Sequence, residues 1–439
     1  MALHDLKPLR CSSCVHGKSS RRIARLIGLI VAVVAPCGAN AQGPAPVRGI
    51  DISAKTIADE AVRGELVRLS PRDGLVLRTA PGKELQVPFE DLVRLETDTT
   101  VSSRGRRDST FTLSNGDVLF GTVAGGSDEE VEIDTVDLGR VSIPLESLAR
   151  FESARADTNA YRESVAWLHR PGASAAEDDH ILLTNGDVVR GLITGIDGDG
   201  IVIDTAWGDT GGSAETAVPH RLIVAALLVS PRAADPARPF VHVTLRSSGR
   251  ITVTDLRWSG QTVRVRPLGV QPASGAQEER LRIEAERIVR LEVIGGRWET
   301  LSRHRPISYQ HTPMLSLGWE YQNDRNVLGG PIRVAGSRFE HGIGVHSRSV
   351  LVYDLRGEYS QFVASFGIDD QSGPYADVTV SIRVDGRSRL VESHVRRGRL
   401  YGPVRLDVTG ANRIELITDF GANGDLQDRF NWVEPALIR

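Results

Sequence analysis

The chain has 439 residues, of which 40% are hydrophobic and 25% charged, with a mean hydropathy of −0.17. That places it among globular proteins and makes it too long for one ordinary domain, while 44 glycines suit a turn-rich β chain better than a helical one. Residues 1–41 carry six Lys/Arg and one Asp, so without them the 53 basic and 56 acidic side chains become 47 and 55, a net of −8, which argues against nucleic acid as a partner.

The first predicted element is a secretory signal over residues 1–41. Arg21, Arg22 and Arg25 precede an apolar run from Leu26 to Ala35, and Ala39-Asn40-Ala41 has the small-x-small pattern of a cleavage site before Gln42. Ten apolar residues fall short of the about 20 needed to span a bilayer, so no transmembrane span is expected once the signal is removed. Pro36 before Cys37 does not suit a lipoprotein site. All three cysteines (Cys11, Cys14 and Cys37) lie in this leader, so an exported product has no disulfides. The expected location is periplasmic, cell-surface or extracellular.

A divergent repeat follows. Val87–Glu96 (VPFEDLVRLE) recurs as Ile143–Glu152 and Ile283–Glu292, with a looser copy from Val218 to Leu227. Phe111–Gly121 and Ile181–Gly191 share a second element. In it, Asn115-Gly116 and Asn185-Gly186 predict hairpin turns between apolar runs. The Val-Pro or Ile-Pro step predicts a single helical turn before a last strand. Four β repeats are expected, at 48–98, 108–155, 180–230 and 239–295, each a small SH3-like or Sm-like barrel that serves as a spacer or contacts a protein partner. Residues 156–179 are expected to be a linker, within which 161–169 could form a short helix packing Trp167. Gly208 to Ala217 also reads as a linker, and Asp128-Glu129-Glu130 as a solvated hairpin loop.

Strand signals then become regular. Val378, Val380, Ile382 and Val384 alternate with polar residues, and Asp385-Gly386 predicts a hairpin turn into Arg387 to Val395. Further strands are expected at 350–355, 362–368, 404–408 and 414–418. Eight or so short strands without a helix predict an all-β jelly-roll sandwich over 313–439.

Residues spread over this segment carry a family resemblance: Leu317-Gly318-Trp319, Pro331–Gly336, His341–Ser349, Val352–Gly357, Phe366–Asp370, Val384–Gly386 and Asp428–Pro435. In order and spacing they resemble the NPCBM family, carbohydrate-binding modules attached to many glycoside hydrolases. The resemblance implies a galactose-binding-like sandwich that binds glycan without catalysis. The family usually has an acidic residue before the closing tryptophan, where this chain has Asn431.

Sugar recognition needs an aromatic face for the C–H side of the ring and planar polar groups for its hydroxyls, carried on loops. Tyr375 and Tyr401 have that loop context, and Asp369, Asp370, Asn431 and Trp432 complete the candidate set. For Trp319 and Trp432 core packing is the alternative. Asp369-Asp370 could hold calcium, or one carboxylate could cap backbone N–H groups at a strand end; no other cofactor is implied. His341 and His346, five apart on a strand, are expected to face opposite ways and to hydrogen-bond inside the sheet. No Gly-x-Ser-x-Gly, His-Glu-x-x-His or phosphate-loop pattern occurs. The sequence therefore points to a non-catalytic binder of glycan or cell-envelope polysaccharide, with a structural or assembly protein at the cell envelope as the alternative.

Overall fold

The computed structural model describes residues 49–58, 61–80, 82–102, 108–154, 178–207, 212–229, 236–273, 280–314 and 318–439. The expected leader, the expected helix over 161–169 with Trp167, most of the expected 156–179 linker and Leu317 lie outside them. Arg48–Arg439 forms one compact unit, and its described residues fold as β-strands joined by turns and short 3-10 helices.

The repeat motif acts as a chain reversal. In the first copy the strand Lys83–Val87 stops at Pro88, which has no N–H to donate to a ladder. Phe89–Asp91 then makes one 3-10 turn that buries Phe89 and leads into Leu92–Thr97. The same turn follows Pro144 and Pro219, and follows Glu284 in the fourth copy. Within the first copy, Leu92–Thr97 pairs with Asp51–Thr56, and Ala61–Ser70, Gly74–Thr79 and Lys83–Val87 follow in order.

The expected separate SH3-like or Sm-like barrels are not what forms. The last strands of two copies pair with each other: Leu92–Thr97 with Ile288–Ile294, and Leu148–Glu152 with Ile223–Leu227. Copy one thus joins copy four, and copy two joins copy three. Further pairings, Leu69 with Trp258 and Ser142 with Gln271, link these into a single 21-stranded sheet system among the described residues. One contiguous core runs through all four copies. Between copies one and four the Arg-Leu-Glu ends are complementary when antiparallel, since Arg290 falls opposite Glu96, Leu291 opposite Leu95 and Glu292 opposite Arg94; between copies two and three Arg150 and Glu152 instead face Leu227 and Ala225. The Arg290 and Glu96 side chains meet at 3.2 Å. Opposite charges across a ladder favour this register, and pairing satisfies an otherwise open edge.

The Asn-Gly-Asp turns also join copies. Gly116 has φ +85°, in the left-handed region that glycine tolerates, and Asn115 accepts the Asp117 N–H. Asp117 is thereby buried, and accepts the backbone N–H of Thr252 at 2.6 Å and its hydroxyl at 2.9 Å from copy four. Burial raises its pKa against these bonds. A second correction concerns Gly208–Ala217: Gly212–Pro219 is a strand paired along Gly200–Trp207, not a linker.

The C-terminal part is a sandwich of two antiparallel sheets. One runs Gln322–Asn323, Gly342–His346, Arg429–Ile438, Gln361–Ile368, Tyr401–Asp407, with Trp298–Thr300 also on Arg429–Ile438; the other runs Ser308–His311, Ser349–Asp354, Arg413–Phe420, Asp377–Val384, Arg387–Arg396. Between them lie Phe362, Phe366, Phe430, Trp432, Tyr353 and Leu416, all essentially buried. The glycines of the His-Gly-Ile-Gly run are needed for close approach. A Cβ on Gly342 would lie 2.5 Å from the Trp432 carbonyl oxygen, and one on Gly344 would meet the backbone of Arg325 to Val327.

A charged seam joins the two regions. A bulge in the closing strand puts Glu434 at φ +46° and turns its carboxylate toward Lys55, at 2.7 Å, and Arg94, at 3.1 Å. His341 sits 2.8 Å from Glu292 and 3.4 Å from Asp324. Burial alone would lower the His341 pKa, but these hydrogen bonds and charges outweigh it and raise it to about 10. Val93, Trp298, Val363, Ala436 and Ile438 pack beneath.

Candidate functional site

The loops at one end of the sandwich bring several of the sequence-derived candidates near one another, in different roles. Gln361–Ile368 ends at Asp369, which is fully buried. Its Oδ1 accepts the Gln371 N–H at 3.0 Å, and its Oδ2 accepts the Asn431 amide at 2.8 Å and the Arg333 N–H at 3.4 Å. Asp370, partly exposed, accepts the Gly336 N–H at 2.8 Å. Both carboxylates therefore serve N–H donors from neighbouring turns, the strand-end use of aspartate. Among the described residues no three His, Cys, Asp or Glu side chains gather as a metal site.

The Asn431 departure has a local cause. The residue is buried beside Asp369, where an ionised acid would face a second carboxylate; its amide instead donates a hydrogen bond. Trp432 is also fully buried and packs edge-on against Phe430 at 5.3 Å and Phe366 at 5.7 Å. Tyr401 is half-buried, its ring stacked on Phe366 at 5.7 Å and with the Arg399 guanidinium over it at 4.6 Å.

Tyr375 is different. It is 58% exposed, yet its backbone is held on both sides. The Asn423 amide donates to its carbonyl at 2.8 Å, and its N–H donates to Gln427 Oε1 at 3.4 Å. The 421–428 loop that provides these groups also receives the Met314 N–H on Asp425. An exposed ring on a pinned loop is a preformed apolar platform with polar groups beside it.

Behind this loop lies a polar group that spacing did not reveal. Asp428 is buried, and accepts the Ser347 hydroxyl at 2.7 Å and the Asp377 N–H at 3.0 Å. Burial pushes its pKa up to about 7, helped by the charges of Asp377 and Asp425 and opposed by those two hydrogen bonds. Asp377 in turn accepts from Arg396 at 3.1 Å and lies 3.2 Å from His394 Nδ1. His341 and His346 part company: the first joins the seam, whereas the second stacks on the half-buried Trp319 at 5.1 Å and 9°. The partners come from segments far apart in the chain, and the Gly-Ala-Asn-Gly turn at 421–424 was the one local signal.

The seam also contains cavities. One of about 320 Å³ is lined by Arg238, His304, Arg305, Tyr359 and Arg439, among others. Much of its charge is paired internally, Arg439 with Glu299 and Glu358, and His304 with Glu299.

Comparison with known proteins bears on this C-terminal region. A structural likeness is found to the CBM51 module of Clostridium perfringens GH95 in complex with methyl-galactose, at 22% identity over 32% of this chain and 99% of that one, TM-score 0.29. CBM51-2 with the INT domains of Clostridium perfringens ZmpB, solved with GlcNAc, gives 22% identity over 43% of this chain and 38% of that one, TM-score 0.28. The tandem CBM51 modules of Sp3GH98, the family 98 glycoside hydrolase of Streptococcus pneumoniae, give 10% identity over 88% and 99%, TM-score 0.29. None of the curated proteins compared with the chain matches it. The family model of the NPCBM/NEW2 domain matches residues 300–438, and that part of the chain is an NPCBM/NEW2 domain.

Proposed function

We propose that the protein is an exported, non-catalytic glycan binder that contacts sugar through the sandwich loops around Tyr375, with the repeats as scaffold or protein-contact region. The observation that carries this is Tyr375 itself, an exposed ring whose backbone is fixed by Asn423 and Gln427. A pyranose can lay its C–H face on the ring while Asn423, Asp425 and Gln427 offer hydrogen bonds to its hydroxyls. The NPCBM/NEW2 match over residues 300–438 supports the same reading. Asp370 and Tyr401, partly exposed, belong to the rim of this surface; Asp369, Asn431 and Trp432 support it from within. Export rests on the leader sequence. No helix among the described residues is long and apolar enough to cross a membrane.

The test is a glycan array with the full chain, followed by titration of the best glycan against Tyr375→Ala, with and without calcium. Saturable binding that falls about tenfold or more in the variant, at an unchanged melting temperature, is the expected result. A gain with calcium would place an ion at Asp369 and Asp370. Silence across the array, with self-association by light scattering, would overturn the proposal in favour of an assembly role.

A further inference from the structure

The net charge of −8 over residues 42–439 conceals a strongly basic edge. From Arg383 to Arg399 the chain carries six arginines against Asp385 and Glu392. All six are exposed. Most lie on Arg387–Arg396 or in the turn after it. This strand pairs with Asp377–Val384 on one side and is the outermost strand of its sheet.

Little of this charge is neutralised. Arg396 is bonded to Asp377, but Arg389 donates to the main-chain carbonyl of Asp407 and Arg399 lies over Tyr401. Among the described residues no carboxylate is bonded to Arg383, Arg387, Arg389, Arg397 or Arg399. Arg399 is also pre-positioned, since its guanidinium is held over the Tyr401 ring by a cation–π contact. At about 3.3 Å per residue, Arg387 to Arg397 covers about 30 Å, the length of several sugar rings.

We propose that this edge is a track for a linear acidic polysaccharide, one that carries carboxylates along its chain. Guanidinium forks match carboxylates in bidentate geometry. Nucleic acid fits less well. Single strands are held largely by stacking on aromatic faces, and the Tyr401 ring is already stacked on Phe366 and has the Arg399 guanidinium over it. A duplex presents a phosphate charge about every 1.7 Å, a density that the acidic remainder of the chain opposes. The track uses residues separate from the Tyr375 loop, so the two surfaces stand or fall independently.

The experiment titrates the full chain with fluorescently labelled polygalacturonate oligomers, with dextran as the neutral polymer and a DNA duplex as the rival polyanion. The variants are Arg387→Gln/Arg397→Gln/Arg399→Gln and the same three positions as Lys. Polygalacturonate affinity is expected to fall about tenfold or more in the Gln variant and to recover partly in the Lys variant. It should weaken steeply between about 50 and about 300 mM salt. Equal binding by the Gln variant, or tighter binding of the duplex, would overturn the proposal. So would an absence of polygalacturonate binding together with aggregation of the Gln variant, which would show that the arginines only guard an open strand edge.

Discussion

The repeat region and the sandwich both bury long rows of apolar side chains, but they close their structures in different ways. In the repeats the core is mainly aliphatic, and copies are joined edge to edge by hydrogen-bonded strands, with opposite charges in register between copies one and four. In the sandwich two sheets pack face to face over an aromatic cluster of Phe362, Phe366, Phe430, Trp432 and Tyr353. A duplicated sequence with a self-complementary last strand can extend a sheet indefinitely, and it is stopped here by pairing one copy with another. A sandwich of unlike strands has to fill a closed volume with large rings. Damage should therefore act through lost volume in the sandwich and through lost polar links in the repeats.

The largest effect is expected from Trp432→Ala, which empties the centre of the aromatic cluster. A loss of about 3–5 kcal/mol in chemical denaturation is expected for such a truncation; a loss below about 1 kcal/mol would mean that the cluster is not the anchor of the sandwich. In the repeats, Asp117→Ala leaves the Thr252 N–H buried without its acceptor and should cost about 1–3 kcal/mol. The equivalent Asp187 is exposed and bonded within its own turn, so Asp187→Ala should lie within about 0.5 kcal/mol of the parent. Equal losses at the two positions would refute the link between copies.

A further effect is one of pH. Asp428 has a native pKa raised to about 7, from an ordinary value of 3.8. The folded chain therefore holds a proton that the unfolded chain has released between those values, and stability falls as pH rises through that interval. Asp428→Asn should remove this slope, adding about 1 kcal/mol above pH 7 and little near pH 4, as read from melting temperature against pH. A parallel shift at both pH values would assign the gain to packing.

Much of the sandwich was legible in the chain. The alternation of Val378 to Val384 required a half-buried strand, and Asp385-Gly386 required a reversal, which the structure shows with both residues at positive φ. The dense glycines of the His341 run match backbone contacts less than 3 Å from a substituted Cβ. Tyr375 was recognisable as a loop aromatic. The bond between Asp369 and Asn431 was not, because it crosses 62 residues of sequence. The basic edge could have been found by counting charge within a window, since an average over the whole chain cancels it.

The sequence by itself determined where strands start and stop. Alternation, proline and Asn-Gly or Asp-Gly steps are local signals, and their physics acts over a few residues. Only the tertiary structure decided which edges meet. Each repeat contains the same strands whether it closes on itself or pairs with another copy, and the pairing of copies one and four brings Arg290 to Glu96, about two hundred residues away. The seam was likewise beyond local signals. Glu434 belongs to the closing motif of the sandwich, yet a bulge turns it away from the loops to meet Lys55 and Arg94 of the first repeat.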